Sequence, residues 1–259
     1  MKKILCALFC ILSIEANAQQ KKLGDTIKKD LLTAPDTVKH LHSKALALVP
    51  PAILISYGAL SFAVKPIRNF DYYVHGETNK TDATFHSTAE SYFQFAPIAI
   101  TYGLNMVGIE GKNRFIDRTA LLGLSGGILG VVDYGLKKTT HRLRPNNEDY
   151  LSFPSGHTST AFLGAEFLAQ EYSGKSVWYG IAGYTIAATT GVFRLYNRDH
   201  WFSDVIAGAG FGIISTKAAY LVYPYIRNAL THKDKKGRST LVMPLYQDGA
   251  VGLSFAKQL

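Results

Sequence analysis

Long apolar stretches separated by short polar turns are the feature that most constrains how this chain folds. Three of them contain no charged residue and approach the roughly 20 residues that span a bilayer: residues 45–64, 91–109 and 176–193. Three more contain a charged residue and are rich in Gly and Ala: those near residues 119–136, 157–171 and 203–225. Small residues let helices approach closely, so the sequence predicts an all-α protein with a core bundle of six helices over residues 45–228.

The N-terminal residues have the composition of a secretory signal. Two lysines precede an apolar run, residues 4–14, and the small-x-small pattern Ala16-Asn17-Ala18 follows. We therefore expect residues 1–18 to be removed and a polar segment, residues 19–44, to begin the exported protein. Both cysteines of the chain lie inside the signal, which excludes disulfides and cysteine metal sites from the exported protein.

Residues 229–259 are predicted to form a basic linker and a short C-terminal tail. The linker contains THKDKKGR, residues 231–238. Asp248 and Gly249 then lie between two strand-like runs, a pattern typical of a tight hairpin turn. The sequence therefore predicts a short β-hairpin outside the helical bundle.

The chain is basic, which bears on the partners it binds. Its formal net charge is +9, and the charge is +8 without residues 1–18, with 26 Lys and Arg against 18 Asp and Glu. A basic exported protein suits anionic lipid headgroups or phosphorylated substrates. Nucleic acid is excluded as a partner because the sequence has no zinc-finger spacing, RNP-like aromatic run or recognition-helix pattern. The oligomeric state is left open.

Three polar clusters interrupt the apolar pattern, each at the end of an apolar stretch. They are KKTTHRLRP at residues 137–145, PSGH at residues 154–157 and RLYNRDHWFSD at residues 194–204. Cationic and histidine side chains at such positions are costly to bury unless they meet an anion. The clusters therefore indicate an anion-binding site.

A phosphoryl group is the anion that best matches these side chains. Lys137, Arg144 and Arg194 can neutralise its oxygens, and each arginine can bind two oxygens at once. Ser155 adds a hydroxyl, and Gly156 allows backbone N–H groups to come close to the anion. The free amides after Pro154 reinforce the same pocket at a helix N-terminus.

Two of the three histidines in the clusters, His200 and His157, can provide a nucleophile and an acid. His200 and Asp204 are four residues apart, so on a helix they share one face and can form a hydrogen bond. A carboxylate on one ring nitrogen leaves the other nitrogen basic and able to attack phosphorus. His157 then protonates the leaving oxygen. This chemistry needs neither a metal nor a cofactor.

The clusters also have a fixed order and internal spacing. Six residues separate Lys137 from Arg144-Pro145, Pro154-Ser155-Gly156-His157 follows, five residues separate Arg194 from His200, and three residues separate His200 from Asp204. Together the blocks resemble the three-part signature of the type 2 phosphatidic acid phosphatase family. Its superfamily also includes bacterial acid phosphatases and vanadium haloperoxidases. The signature covers about residues 137–204, and the helices from 45 to 225 fit the family's six-helix core.

The resemblance implies a role for each of these residues. His200 forms the phosphohistidine, Asp204 orients it and His157 is the general acid. The phosphate is held by five residues: Lys137, Arg144, Ser155, Gly156 and Arg194. The family usually has Ser just before the arginine of the third block, where this chain has Phe193. That departure removes one hydrogen bond and bears on the substrate class rather than on catalysis.

Taken one at a time, some of these residues can also be explained by a purely structural role. PSGH alone is a helix start with Ser155 as its N-cap, and the basic run is a solvated or lipid-facing loop. The combined spacing of the three blocks favours a phosphate-binding active site over these structural roles. No partner spacing supports a functional role for five other histidines, His40, His42, His75, His86 and His232. His141 is interpreted as a loop residue, and Asp149 and Asp199 as solvated loop charges.

The function predicted is a metal-independent phosphatase for a phosphomonoester or diphosphate of a membrane lipid. Phosphatidic acid, phosphatidylglycerol phosphate, polyprenyl diphosphate and the phosphates of lipid A are the substrate classes. The first alternative is a soluble periplasmic acid phosphatase of broad specificity. The second is a vanadium-dependent haloperoxidase, which the sequence disfavours because no added helices are present to build a halide site.

The expected location is the cell envelope, with the site facing the periplasm. If the signal is cleaved and all six helices span, the loops that hold the site face the cytosol instead. The basic linker suits a cytoplasmic end, which implies an outward-facing site. Either the bundle is periplasmic and docked to lipid, or one helix does not span. The mean hydropathy of +0.04 is low for six full spans.

Overall fold

The computed structural model describes residues 45–82, 84–230, 240–247 and 250–257. The expected signal peptide, the polar segment 19–44, the basic run 231–238 and the Asp248-Gly249 turn lie outside these residues. The described part of the bundle is helical, as the sequence predicts.

Eight α-helices follow one 3₁₀ turn, Ala45–Leu48, in the described part of the bundle. Their bounds are α1 Val49–Leu60, α2 Lys65–Thr81, α3 Ala89–Phe93, α4 Ala96–Met106, α5 Phe115–Thr140, α6 Gly156–Tyr172, α7 Val177–Tyr196 and α8 Phe202–Leu230. Proline in the first turn starts α1, α2 and α4, where its missing N–H leaves no bond unmade.

The predicted count of six helices is wrong, because the structure has two more. The six predicted apolar stretches correspond to α1 and α4 to α8. The additional helix α2 is strongly amphipathic and carries charged residues along its length, so it has no long apolar run to reveal it. The additional helix α3 has only five residues, which is shorter than any periodic pattern can show.

Helix α6 lies at the centre of the bundle and packs against α4, α7 and α8, while α8 also packs against α1 and α5. The contact between α6 and α8 depends on glycine. A Cβ on Gly208 would lie 2.7 Å from the carbonyl oxygen of Ser155, and one on Gly212 would collide with that of Ser159. The small residues noted in the sequence thus set the distance between the two central helices.

Charged residues inside the bundle are paired. Glu166 on α6 accepts from Lys217 on α8 at 2.7 Å, so the two charges that interrupt the apolar stretches compensate each other. At the end of the bundle opposite the polar clusters, Asp117 on α5 accepts from Arg227 on α8 at 2.7 Å. These buried pairs fix how the helices are aligned along their length.

Among the described residues, two helices are long and apolar enough to cross a membrane, Phe115–Thr140 and Phe202–Arg227. The bent pair Leu46–Leu60 and Lys65–Thr81, with an angle of 89°, is a third candidate if it counts as one span. The uncharged stretches 45–64 and 91–109 are therefore poorer spans than the sequence indicates. Helix α1 ends after 12 residues, and α4 has only 11.

The described tail residues form an antiparallel hairpin of β1 Thr240–Gln247 and β2 Ala250–Lys257. Gln247 pairs with Ala250, so two residues connect the strands. This register agrees with the hairpin expected from the sequence.

Candidate functional site

The three polar clusters meet at one end of the bundle. The C-terminal ends of α5 and α7 and the N-terminal ends of α6 and α8 lie there, because consecutive helices run in opposite directions. Lys137 comes from the last turn of α5, and Arg194 from the last turn of α7. His157 lies in the first turn of α6, and His200 lies two residues before the start of α8.

His200 is buried, and its two ring nitrogens have different partners. Nδ1 is 2.7 Å from the carbonyl oxygen of Ser152. A carbonyl oxygen only accepts hydrogen bonds, so Nδ1 carries the proton and Nε2 keeps its lone pair. Nε2 lies 3.3 Å from Arg144 Nη1. Burial, with the charges of Arg194, Arg144 and Lys137, holds the pKa of His200 well below its ordinary value. The imidazole is therefore neutral at neutral pH.

Asp204 does not bind His200 directly, contrary to the prediction. The distance from His200 Nδ1 to Asp204 Oδ2 is 3.9 Å, too long for a hydrogen bond. Helix α8 begins at Phe202, so the two residues do not share a helical face. Asp204 instead accepts from Ser152 Oγ at 2.6 Å and from the Trp201 amide at 2.9 Å. Ser152 therefore links the two, with its carbonyl on His200 and its hydroxyl on Asp204.

Arg142 is the main residue that the sequence reasoning missed. Its Nη1 donates to Asp204 Oδ1 and its Nη2 donates to Asp71 Oδ2, both at 2.6 Å. The guanidinium also donates to Ser203 Oγ at 2.8 Å. Arg142 thus links α2 to α8 and holds the Asp204 carboxylate in place near His200. It lies within the first polar cluster, but its partner Asp71 is far away in the sequence.

Arg144 lies beside His200 and is held by the loops on either side. Its Nε donates to Asp149 Oδ1 at 2.8 Å, and its Nη1 donates to the carbonyl oxygen of Asp199 at 3.1 Å. Asp149, predicted to be a solvated loop charge, has a partly exposed carboxylate that also orients the guanidinium. A cation fixed next to Nε2 defines where an anion attacked by His200 would lie.

Arg194 is buried between two carboxylates. Its Nη1 is 2.7 Å from Asp199 Oδ2 and 3.2 Å from Glu90 Oε1. Asp199 is therefore an ion-pair partner rather than the predicted solvated charge. The Nε of Arg194 is buried without a hydrogen-bond partner among the described residues, so the two carboxylates leave this donor unsatisfied. Glu90 comes from α3, the helix that the sequence did not reveal.

The remaining phosphate-binding candidates surround the start of α6. Lys137 Nζ donates to the carbonyl oxygens of Leu151 and Pro154, at 2.8 and 2.7 Å. Ser155 is buried at the N-cap position, and its hydroxyl bonds Thr158 Oγ1 at 2.9 Å without capping the helix. A Cβ on Gly156 would meet no atom closer than 3.9 Å, so no close approach within the protein requires glycine there.

His157 is half-buried at the same end of the bundle. Its Nε2 is 3.4 Å from Ser91 Oγ on α3. Burial, followed by the charges of Arg194, Arg144 and Lys137, lowers the pKa of His157 to about 4. The three cations therefore act on both histidines, which places the predicted acid and nucleophile in one electrostatic environment.

Aromatic residues occupy the position where the family signature has serine. The Phe193 ring stacks on Phe85, with centroids 6.1 Å apart, and is tilted against Phe93 at 6.0 Å. This cluster packs the segment before α3 against α7 and so carries Glu90 and Ser91 toward the histidines. His141 is exposed and ends α5 with a φ of 43°, which agrees with the interpretation as a loop residue.

Comparison with known proteins finds a family that part of this bundle resembles. Residues 118–228 match the family model of the PAP2 superfamily. The matched region runs from the first turn of α5 to the last turn of α8. The resemblance inferred from the three sequence blocks is therefore confirmed, and the matched PAP2 region contains all three blocks.

Two curated relatives share part of the chain. A lipid A 1-phosphatase of Porphyromonas gingivalis is 36% identical over 141 residues, which are 54% of this chain and 32% of the relative. The probable lipid phosphate phosphatase 4 of Arabidopsis thaliana is 37% identical over 112 residues, 38% of this chain and 34% of the relative. This chain thus spans about a third of the length of these two proteins.

Two solved structures are similar at lower identity. A PAP2-type phosphatidylglycerolphosphate phosphatase from Bacillus subtilis is 18% identical with a TM-score of 0.48, covering 71% of this chain and 99% of that structure. LpxE from Aquifex aeolicus is 20% identical with a TM-score of 0.43, covering 56% and 92%.

Proposed function

We propose that this chain is a metal-independent phosphatase that hydrolyses a phosphate ester of a membrane lipid through a phosphohistidine at His200. The observation that carries the proposal is the convergence of three cations, Lys137, Arg144 and Arg194, on a buried histidine whose Nδ1–H is held by a carbonyl. The relatives named as lipid phosphatases, and two helices able to cross a membrane, support a lipid as the substrate.

The nucleophile is Nε2 of His200. Its lone pair is free of a proton because Nδ1 donates to Ser152, and the low pKa keeps the ring neutral before attack. Arg144 stands 3.3 Å from Nε2 and is placed to bind an oxygen of the phosphoryl group under attack. Nε2 bonds phosphorus while the bond to the leaving oxygen breaks, which gives phosphohistidine and the free alcohol.

His157 acts as the general acid for the leaving oxygen. In the free protein its pKa of about 4 leaves it unprotonated near neutral pH. A phosphate anion beside Lys137, Arg144 and Arg194 offsets their charge and attracts a proton to the ring. Binding of the substrate therefore protonates His157, which can then act as the acid. The same histidine accepts a proton from the water that hydrolyses the phosphohistidine.

Asp204 supports His200 through Ser152 rather than by direct contact. Its carboxylate fixes the Ser152 hydroxyl at 2.6 Å and is itself fixed by Arg142. The loop carbonyl that holds Nδ1–H is therefore anchored to α8. Asp204 is a positioning residue in this proposal, and Lys137, Ser155, Gly156, Arg144 and Arg194 form the phosphate pocket.

Phosphate release without added metal tests the proposal. Purified protein in detergent is assayed with phosphatidic acid, phosphatidylglycerol phosphate, a polyprenyl diphosphate, lipid A and p-nitrophenyl phosphate, with and without a chelator. We expect release from at least one lipid, unaffected by the chelator, because the pocket charge comes from Lys137, Arg144 and Arg194. Activity that a chelator abolishes and a divalent ion restores would contradict the metal-independent mechanism, and activity confined to p-nitrophenyl phosphate would contradict a lipid substrate.

A further inference from the structure

Helix α2 packs one face against the loop that carries His200. Three residues spaced four apart form this face: Asp71, His75 and Asn79. The first holds the loop where it enters α8, since Asp71 accepts from the Ser203 amide at 2.8 Å. The second packs beside the histidine, since the His75 ring lies edge-on to Trp201 with ring centroids 5.6 Å apart. The third faces the part of the loop that precedes His200.

Arg198, two residues before His200, has a backbone conformation that needs support. Its φ of 61° lies in the left-handed region, which residues with a side chain seldom adopt. Its guanidinium donates to the carbonyl oxygen of Phe85 at 3.0 Å and to Asn79 Oδ1 at 3.5 Å. The side chain of Arg198 therefore connects the turn before His200 to α2 and to the segment that follows α2.

Asn79 links Arg198 to His75. A guanidinium only donates hydrogen bonds, so the Asn79 atom that faces Arg198 is the amide oxygen. The amide nitrogen then faces His75, and Asn79 Nδ2 lies 3.1 Å from His75 Nε2. Because an amide nitrogen only donates, His75 Nε2 accepts, and the ring proton lies on Nδ1. Each of the three side chains thus fixes the orientation of the next one.

His200 is thereby held on both sides of its own position in the chain. Arg198 is fixed before it, and Trp201 after it donates from Nε1 to the carbonyl oxygen of Leu143 at 2.8 Å. His75 and His200 also line the same interior space, which is too small to hold a water molecule. A nucleophile must stand about 3–3.5 Å from the atom it attacks, so a displacement of this loop by about 1 Å would slow the attack about 10²-fold.

We propose that Asn79 is a positioning residue for the nucleophile His200, which it aligns through Arg198. Asn79 acts on the loop that carries His200 and not on the phosphate. The proposal rests on the proposed phosphatase function and deepens it by naming a residue outside the three sequence blocks on which the attack depends.

Three substitutions on α2 separate this role from a general effect on the helix. Asn79→Ala removes the side-chain hydrogen bonds to Arg198 and His75. Asn69→Ala is the matched control, because it makes the same change on the same helix at an exposed position. Asn79→Asp has nearly the same shape and keeps an oxygen for Arg198, so it is the conservative variant. The thermal midpoint of each protein is measured, and the substrates are the five phosphate esters of the preceding assay.

The readout is a single turnover with the protein in excess over the substrate. The rate constant for loss of substrate reports the attack, and its dependence on protein concentration reports binding. In Asn79→Ala we expect this rate constant to fall about 10- to 100-fold and the half-saturating concentration to change less than about twofold. Asn79→Asp should recover most of the rate, and Asn69→Ala should keep the wild-type rate. The same rate in Asn79→Ala and Asn69→Ala, or a rate in Asn79→Asp as low as in Asn79→Ala, would overturn the proposal, as would weaker binding without slower attack.

Amide hydrogen exchange tests the same link without any turnover. The amides of Arg198 and Asp199 donate to the carbonyl oxygens of Leu195 and Arg194 at 3.0 and 3.1 Å, so a looser turn exchanges faster. We expect exchange about 10-fold faster in Asn79→Ala than in Asn69→Ala, which corresponds to the loss of one hydrogen bond. If the wild type hydrolyses none of the five esters, the proposed function fails, and exchange still decides whether Asn79 holds the loop. Equal exchange in the two variants would overturn the positioning role.

Discussion

Filling the candidate phosphate pocket with an anion changes the electrostatic surroundings of His157 and therefore its pKa. In the free protein, burial and three cations hold this pKa at about 4. Burial persists when an anion binds, but the anion offsets the charges of Lys137, Arg144 and Arg194. An opposite charge within about 4–6 Å raises the pKa of a histidine by about 1–3. We expect the pKa of His157 in the complex to lie at about 5–7.

This difference couples anion binding to proton uptake. Because the pKa is higher in the complex, binding takes up a proton between the two pKa values, and affinity rises as pH falls through that window. Between pH 7 and pH 4 the affinity rises about 5- to 250-fold, or about 1–3 kcal/mol. Well above the pKa of the complex His157 is neutral in both states, and its contribution to the pH dependence vanishes.

Sulfate is a suitable probe because it remains a dianion throughout this range and cannot be hydrolysed. Trp201 adjoins His200 and reports binding by fluorescence, and the exposed Trp178 is removed by Trp178→Phe, which leaves one tryptophan. The affinity for sulfate is measured from pH 7.5 to pH 4 in this protein and in the same protein carrying His157→Gln. His200 is present in both, so the difference between the curves isolates His157. Curves of equal steepness would refute the reasoning.

Three further substitutions test other parts of the site. Arg142→Gln leaves two buried carboxylates without their cation. We expect it to lower the free energy of unfolding by about 3–5 kcal/mol and the thermal midpoint by about 6–20 °C. An unchanged thermal midpoint would contradict the bridging role of Arg142. Arg194→Lys keeps the positive charge but loses the guanidinium, which can donate to two oxygens at once. The affinity for vanadate and the turnover rate therefore fall together by about 10²-fold. A lower midpoint with an unchanged vanadate inhibition constant would instead make Arg194 a structural partner of Glu90 and Asp199. His157→Ala slows departure of a poor leaving group more than that of p-nitrophenol; equal slowing would contradict its role as the acid.

The long helices could be predicted because apolar length and small residues are local properties of the sequence. Each of the six predicted stretches contains a helix. Helix α2 was missed because its buried face alternates with charged residues, and its stability comes from contacts such as that of Asp71 with Arg142. For a related reason, the sequence indicated that the uncharged stretches were better candidates for membrane spans than the stretches with a charged residue. A charged residue such as Lys217 disfavours a membrane span in the sequence, but in the fold Glu166 neutralises it.

The cations and histidines of the site could be found from motif spacing, but the carboxylates that hold them could not. Glu90 pairs with Arg194, 104 residues later, and Asp71 pairs with Arg142, 71 residues later, and such distant pairings leave no local pattern. The spacing of four between His200 and Asp204 indicated a helical pair. That inference failed because the helix starts only after His200, and Ser152 completes the link between them.

A trapped phosphoenzyme tests most directly the claim that His200 is the nucleophile. The protein is mixed with substrate carrying a labelled phosphate, quenched in alkali, which preserves phosphohistidine, and digested to locate the label. We predict that the label lies on His200, and that His200→Ala shows neither label nor turnover, with a loss on the order of 10⁴-fold or more. Label on another residue, or rapid turnover by His200→Ala in a folded protein, would contradict the mechanism.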